Sequence, residues 1–188
     1  MKKWKKGDIK GVVVRPAKRR SDERGWLFEG WRDDWCNRCL GEPLVESVEG
    51  KESACVCGDG GRLGEEVFKN PRMLYVSSTD EGIVRGPHEH RMQTDYFVFV
   101  GSFVVRLWDT REHSKTKGRM MTFKASRGTC VVVPPGVVHC YCSTADGQVV
   151  LNLPNLLYAG YGKQSQVDEI RHENEKNSPY DVSDMKGG

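Results

Sequence analysis

Short runs of β-branched and aromatic residues, separated by turn residues, constrain the fold of this chain more than any other feature. Glycine, proline, aspartate or serine bounds these runs, a pattern typical of strands joined by tight connections. A sheet with one face in water buries its other face best against a second sheet. The sequence therefore predicts an all-β protein, a jelly roll or small antiparallel barrel. The runs lie at residues 9–14, 73–77, 96–100, 103–108, 130–133 and 148–153.

Length and composition fit one domain. The chain has 188 residues, of which 37% are hydrophobic, and this is enough to bury a single core. Residues 32–68 interrupt the strand rhythm with charges, glycines and cysteines, so we expect an insertion at the edge of the barrel. The polar residues after Arg171 indicate a short, extended C-terminal tail. We expect a single domain over residues 1–188.

The charge pattern argues against several classes of partner. Lysine and arginine total 29 against 26 aspartate and glutamate residues, and the basic character is concentrated in the first twenty residues. This distribution does not predict a nucleic-acid-binding surface. The basic start has no apolar segment behind it that would act as a signal peptide or cross a membrane. We therefore expect a cytoplasmic protein without nucleic-acid or membrane partners.

Two histidine-containing segments carry the candidate chemistry. His88 and His90 in "RGPHEH" lie two residues apart, so in a strand they point to the same face, which the apolar pattern places inside the barrel. The segment "GTCVVVPPGVVHCY" turns at its prolines and brings His139 back toward the same cavity. With Asp95, these imidazoles form a donor set for iron, manganese, nickel or zinc. The same groups could instead transfer protons or satisfy internal hydrogen bonds, and the residues alone leave this open.

The two segments resemble the two sequence motifs of the cupin superfamily. The resemblance implies a cupin-type jelly-roll β-barrel. The first motif carries an aspartate where cupins usually carry glutamate. The matching residues are Gly82, His88, His90, Asp95 and Gly101 in the first motif, and Gly128, Pro134, Gly136 and His139 in the second.

Longer stretches give a narrower resemblance. "DIKGVVVRPAKRRSDERGWLFEGW", "GIVRGPHEH", "VPPGVVHCY" and "QVVLNLPNLLYAGYGKQSQVDEIR" resemble the dTDP-4-dehydrorhamnose 3,5-epimerases, nucleotide-sugar epimerases with the cupin fold. The resemblance implies an isomerase of carbohydrate biosynthesis that acts on a 4-keto-6-deoxy sugar nucleotide. It also implies that no metal cofactor is needed and that the protein is a homodimer with exchanged N-terminal strands.

The family's motifs suggest specific catalytic roles. By this resemblance His88 is the catalytic base and Arg85 contacts the substrate. An aspartate near the C-terminus orients the base in the family, and "DVSD" offers Asp181 or Asp184, of which we favour Asp184. The chemistry is reasonable, because a C–H beside a keto group is a weak acid that a positioned imidazole can deprotonate. Arg85 or His139 could then stabilise the enolate.

The same resemblance suggests the substrate-binding residues. Arg24 and Glu29 match residues that hold the nucleotide diphosphate and base across a dimer interface, and an arginine suits this role because its fork of donors fits phosphate oxygens. Tyr158 matches an aromatic residue that lines the sugar site. The full expected set is Arg24, Glu29, Arg85, Gln93, His139, Asn152 and Tyr158.

One departure from the family keeps other functions open. The family's catalytic tyrosine falls at Asn152, whose amide has no proton of useful acidity. Epimerisation at a single carbon is therefore one variant. Ketoisomerisation is another, because the RG-x-H-x-H pattern also resembles the sugar 3,4-ketoisomerases. A sugar-binding cupin without catalysis is a third possibility, and a metal-dependent cupin enzyme that uses His88, His90, Asp95 and His139 is a fourth.

The insertion contains a second potential metal site. Cys36 and Cys39 form a CxxC pair, Cys55 and Cys57 form a CxC pair, and fifteen residues separate the two pairs. Four thiolates at this spacing could close a tetrahedron around a structural zinc ion and so stabilise a loop with little core of its own. Four unligated thiols of a reducing compartment are an equally good interpretation.

Overall fold

A computed structural model of the chain describes residues 5–16, 18–31 and 71–185. These residues form strands β1 to β13 and three short 3-10 helices. The strands are, in order, Lys5–Lys6, Val13–Pro16, Arg20–Asp22, Gly25–Leu27, Tyr75–Thr79, Val84–Glu89, Asp95–Phe99, Phe103–Asp109, Met120–Ala125, Thr129–Val133, Val137–Ser143, Gln148–Asn152 and Ile170–Arg171. The 3-10 helices are Tyr161–Lys163, His172–Asn174 and Ser183–Met185. None of the described helices is long and apolar enough to span a membrane.

The strands pack as two facing antiparallel sheets, which confirms the all-β jelly-roll prediction. One sheet has the order β1-β2-β10-β7-β12-β5, the other β13-β6-β11-β8-β9, and β3 and β4 form a separate hairpin. Phe97 and Phe99 of the first sheet meet Phe103, Val105 and Leu107 of the second in one buried cluster. Because side chains alternate between the two faces of a strand, every second residue of these strands points into this core.

The apolar runs located some strands better than others. All six predicted runs overlap observed strands, but the run at 9–14 becomes a strand only from Val13. Before that point the chain turns at Gly11, whose φ of 82° is accessible to glycine at little cost. Strands β6, β9 and β11 are not among the six predicted runs. Arginine, glycine, proline or histidine interrupts β6 and β11, and these are the strands that carry the candidate site.

The C-terminal tail, which we expected to be short and extended, docks on the outer face of the second sheet. Met185 packs with Cys140 and Cys142 of β11 in a small apolar cluster. Asp184 forms a two-pronged ion pair with Arg106 of β8, with N–O distances of 2.6 and 2.7 Å. The tail therefore covers apolar surface that the sheet would otherwise expose.

The whole of the predicted insertion, residues 32–68, lies outside the described residues. The predicted zinc ligands Cys36, Cys39, Cys55 and Cys57 all fall in this part of the chain, and the zinc site stays a prediction. The same holds for the expectation that residues 1–188 form one domain.

Candidate active site

Three imidazoles converge at one end of the space between the sheets. His88 of β6 and His139 of β11 are cross-strand partners, and their ring centroids lie 4.4 Å apart. His90 follows the end of β6, and its ring lies 5.8 Å from that of His139. His139 also contacts Phe97 of the buried core, with ring centroids 5.4 Å apart. The imidazoles therefore lie on the inner face of the barrel, where the core ends.

A bulge in β6 brings Arg85 to the same face as His88. On β11, His139 pairs with His88 and Tyr141 pairs with Arg85, so three steps along β6 match two steps along β11. Residues an odd number apart normally point to opposite faces of a strand, but an extra bulged residue restores them to one face. Strand β5 anchors the arginine, whose Nε donates to Thr79 Oγ1 at 2.8 Å and whose Nη2 donates to the Ser78 carbonyl at 2.8 Å. A guanidinium and an imidazole thus face the cavity together.

Gly86 makes the bulge possible. Its φ is 85°, in the left-handed region that disfavours residues with a Cβ. A Cβ at this position would lie 2.5 Å from the His139 carbonyl oxygen and 3.0 Å from His88 Nδ1. The close approach of β6 to β11 therefore requires glycine between Arg85 and the base.

A buried carboxylate lies behind the histidines. Asp95 of β7 is 1% exposed, and its Oδ1 accepts hydrogen bonds of 2.8 Å from the side-chain amides of Gln93 and Asn152. Its Oδ2 lies 3.2 Å from His90 Nε2 and 3.6 Å from His139 Nε2. These contacts satisfy a charge that would be costly to bury alone.

The environment divides the histidines into one charged and two neutral rings. Burial opposes protonation of His90, but the hydrogen bond and the charge of Asp95 outweigh it and raise the pKa of His90 to about 9. Gln93 Nε2 lies 3.1 Å from the same His90 Nε2 and would suit a neutral ring, yet the carboxylate is the stronger partner. Burial also opposes ionisation of Asp95, whose pKa is nevertheless lowered by its hydrogen bond to His90.

His88 has the electronic state expected of a base. Burial, followed by repulsion from His139 and His90, lowers its pKa well below the ordinary value of 6.5. Burial likewise lowers the pKa of His139. At neutral pH both rings are therefore uncharged, and His88 is only half-buried, so its lone pair can meet a ligand from the cavity.

The three imidazoles are also chemically suited to a divalent first-row metal ion. One ring nitrogen from each of His88, His90 and His139 lies within 4.8 Å of the others. His139 Nε2 is a buried atom without a hydrogen-bond partner among the described residues. With Asp95 beside them, these side chains would hold such an ion if one bound.

Asp168 takes part in the site without having been predicted. Its carboxylate accepts hydrogen bonds from the backbone N–H groups of Arg91, Met92 and Gln93, at 3.0, 2.9 and 2.8 Å. Its backbone carbonyl contacts His90 Nδ1. Asp168 therefore fixes the loop between β6 and β7 and orients the His90 ring. Asp168 lies in the epimerase-like stretch that ends at Arg171, but no apolar run or residue spacing in that stretch predicts its contact with this loop.

Of the residues predicted to bind the substrate, the structure brings some to the histidine cavity and leaves others exposed. Gln93, His139 and Asn152 join Arg85 and His88 in the site. Arg24 lies on the β3–β4 hairpin, where its side chain is 82% exposed and pairs with Asp22 at 2.6 Å. Glu29 and Tyr158 are also exposed.

The structure does not bring Asp184 to His88. Arg106, the partner of Asp184, pairs across strands with Cys140, whereas Leu107 pairs with His139. Because neighbouring residues of a strand point to opposite faces, Arg106 and Asp184 lie on the outer face of the sheet and the imidazoles on the inner face. A role for Asp184 in orienting the base therefore has no geometric support.

The chain is similar to several sugar epimerases. It is 29% identical over 156 residues to the probable low-salt glycan biosynthesis epimerase Agl13 of Haloferax volcanii, covering 80% of this chain and 81% of that protein. The RmlC epimerase of Mycobacterium tuberculosis superposes with a TM-score of 0.63 and 22% identity, over 83% of this chain and 68% of that one.

A third similar protein has a bound ligand. ChmJ, a 3'-monoepimerase of Streptomyces bikiniensis in complex with dTDP-quinovose, superposes with a TM-score of 0.63 and 21% identity, over 87% and 70% of the two chains. No protein-family model matches the chain. The chain has the RmlC-type cupin fold. The resemblance of the sequence to nucleotide-sugar epimerases thus agrees with both the RmlC-type fold and the similarity to the Haloferax volcanii protein.

Proposed function

We propose that this protein is a nucleotide-sugar epimerase that acts on a 4-keto-6-deoxy sugar by removing a proton next to the keto group. One observation carries the proposal: His88, kept neutral by burial, shares the inner face of the barrel with Arg85. A neutral imidazole can accept a proton, and a guanidinium beside it can stabilise the negative charge that develops. The probable glycan biosynthesis epimerase among the relatives supports the same reaction class.

In the proposed reaction, His88 removes the proton on the carbon adjacent to the keto group. The electron pair of the broken C–H bond moves into the enolate, whose oxygen is stabilised by Arg85. Thr79 and Ser78 accept hydrogen bonds from the Nε and Nη2 of this guanidinium, so that its remaining N–H donors keep a fixed orientation. Reprotonation on the other face of the sugar completes an inversion. None of these steps requires a metal or an organic cofactor.

The nucleotide end of the substrate is part of the proposal. ChmJ is described in complex with dTDP-quinovose, and by analogy this chain would bind a nucleoside diphosphate sugar. Arg24 is a suitable phosphate ligand because it lies exposed on a hairpin that projects from the barrel. We propose a homodimer in which Arg24 and Glu29 reach the partner's site. Cys130 and Cys140 are free thiols, which supports the proposed cytoplasmic location.

Proton exchange with solvent tests the function directly. A dTDP-linked 4-keto-6-deoxyhexose incubated with the protein in heavy water should gain deuterium next to the keto group. His88→Asn should lose this exchange by about 100-fold or more, the usual contribution of a positioned base. His113→Asn is the matched control, because His113 is exposed. A wild-type protein that exchanges no such sugar would exclude the proposed reaction.

A metal-dependent cupin enzyme is a second candidate. The close approach of the three ring nitrogens and the unpartnered His139 Nε2 favour it. Elemental analysis separates the candidates: stoichiometric iron, manganese or nickel that disappears in a His90→Ala/His139→Ala variant would support the metal enzyme. Exchange that persists after exhaustive chelation would support the epimerase.

A further inference from the structure

The proposed inversion lacks a proton donor at the expected position. Inversion needs a second acid, because a proton returned by His88 alone restores the original configuration. Asn152 occupies the position of the family's tyrosine, and its Nδ2 is engaged with Asp95 at 2.8 Å. An amide N–H is far too weak an acid to replace a phenol. Another group must therefore protonate the sugar on the face opposite His88.

The strand register places a phenol directly beside Asn152. Tyr75 on the edge strand β5 is the cross-strand partner of Asn152, which in turn pairs with Phe97 of the core. Directly paired residues point to the same face with Cβ atoms about 5 Å apart. Tyr75, Asn152 and Phe97 therefore form one row across the inner face of the six-stranded sheet.

This row lies at the level of the histidines. Farther along β5, Ser77 Oγ lies 3.3 Å from the Tyr141 hydroxyl, and Thr79 holds Arg85. Tyr75 is the next inward residue of β5, toward the end where Phe97 contacts His139. Tyr75 is 41% exposed, so its ring borders the open mouth of the cavity and is not buried in the core.

We propose that Tyr75 is the catalytic acid that delivers a proton to the face of the sugar opposite His88. Tyr75 belongs to one sheet and His88 to the other, so a sugar ring between the sheets meets them on opposite faces. The Tyr75 O–H bond breaks, its proton forms the new C–H bond with the enolate electron pair, and the phenolate recovers a proton from water. This assignment rests on the proposed epimerase function.

The local environment keeps this phenol protonated until it is used. Burial, followed by the negative charges of Glu169 and Asp95, raises the pKa of Tyr75 above its ordinary value of 10. Two other phenols are less suitable. Tyr141 is 7% exposed, and its hydroxyl lies within the core beside Ser77. Tyr158 is exposed and has no register relation to the histidine strands.

Comparing exchange with inversion tests the assignment. The probe is a dTDP-linked 4-keto-6-deoxyhexose in heavy water, with deuterium in recovered substrate and inverted product measured separately by NMR. In Tyr75→Phe, inverted product should fall by about 100-fold or more, as expected for the loss of a general acid. Deuterium should still enter the recovered substrate, because His88 remains able to remove and return a proton. Phenylalanine keeps the ring, and a thermal melt verifies that the variant is folded.

Tyr158→Phe tests the rival phenol, and Tyr161→Phe, at an 87% exposed position, is the surface control. Unchanged inversion in Tyr75→Phe would overturn the assignment, and so would loss of exchange and inversion together. Loss of inversion in Tyr158→Phe but not in Tyr75→Phe would transfer the role to Tyr158. Absence of exchange in the wild-type protein would refute the epimerase function itself and Tyr75 with it.

Discussion

Asn152 donates a hydrogen bond from Nδ2 to Oδ1 of Asp95, over 2.8 Å, at the end of the barrel where the imidazoles meet. The amide thus supports the carboxylate that holds His90 in its charged form. A residue expected to contact the sugar also belongs to the buried polar network behind it. The charges of Asp95 and His90 in this network can be tested by substitution.

Asp95→Asn should make the protein less stable in a pH-dependent way. Against the opposing effect of burial, Asp95 raises the pKa of His90 from 6.5 to about 9, with smaller contributions from the Asp168 carbonyl and the charge of Glu169. The stability from this shift is fully present below pH 6.5 and is lost as the pH rises through about 9. The free energy of unfolding should therefore fall in the variant by on the order of 3 kcal/mol at most below pH 6.5, with a smaller deficit toward pH 9. Urea unfolding across this range measures it.

The exposed Asp8→Asn variant is the control for the charge change itself. Its free energy of unfolding should show no such pH-dependent decrease, because Asp8 is exposed. A deficit in Asp95→Asn that stays constant from acidic to basic pH would mean that Asp95 acts through packing alone.

The pH dependence of exchange should reflect the lowered pKa of His88. Burial and the neighbouring imidazoles keep this ring neutral below its ordinary pKa of 6.5. Exchange of the sugar proton should therefore remain constant as the pH falls through 6.5 and should decline only at lower values, as the base becomes protonated. The measurement is kcat/KM for deuterium incorporation against pH. An acid limb centred at or above 6.5 would show that a different group is the base.

Substituting Gly86 should disturb the site more than substituting another glycine with the same backbone conformation. Gly86 and Gly82 both have positive φ, 85° and 71°, but a Cβ at Gly86 meets the His139 carbonyl at 2.5 Å whereas nothing lies within 4 Å at Gly82. Gly82→Ala should cost about 1–2 kcal/mol for the left-handed conformation alone. Gly86→Ala should cost more and should also lower exchange, because β6 must move away from β11. Equal effects of the two variants on stability and exchange would contradict this.

Much of the fold could be predicted from residue pattern, because it depends on local alternation. The runs that became β7, β8, β10 and β12 bury a hydrophobic face, and alternation reveals such strands. Strands β6 and β11 could not be found in this way, because Arg85, Gly86 and the histidines interrupt their apolar pattern. The motif resemblance located these strands instead. A functional site is the place where residue pattern and fold are expected to disagree.

The parts of the site that sequence reasoning missed depend on long-range pairing. Asp168 reaches the loop before β7 from far along the chain, and only the folded register places it there. The role that we propose for Tyr75 likewise depends on the pairing of β5 with β12. The bulge at Gly86 also changes which residues of β6 share a face, so simple alternation would place Arg85 and His88 on opposite sides.

Asp184→Asn should loosen the C-terminal tail while leaving catalysis unchanged. Its carboxylate pairs with Arg106, whose side chain is 10% exposed, on the outer face of the sheet. Loss of the charged partner weakens this two-pronged contact, so residues 180–185 should show faster hydrogen exchange and proteolysis. Proton exchange of the sugar should match the wild-type rate, because His88 lies on the inner face.

Asp181→Asn is the matched comparison for Asp184→Asn, because Arg106 contacts only the backbone carbonyl of Asp181. It should loosen the tail less. The hydrogen bond to Arg106 lowers the pKa of Asp184, so in the wild-type protein the ion pair should persist as the pH falls through 3.8 and break at lower values. If Asp184→Asn abolished sugar exchange while the tail stayed protected, the carboxylate would act on the base after all. That result would require a rearrangement that brings the tail to the inner face of the barrel.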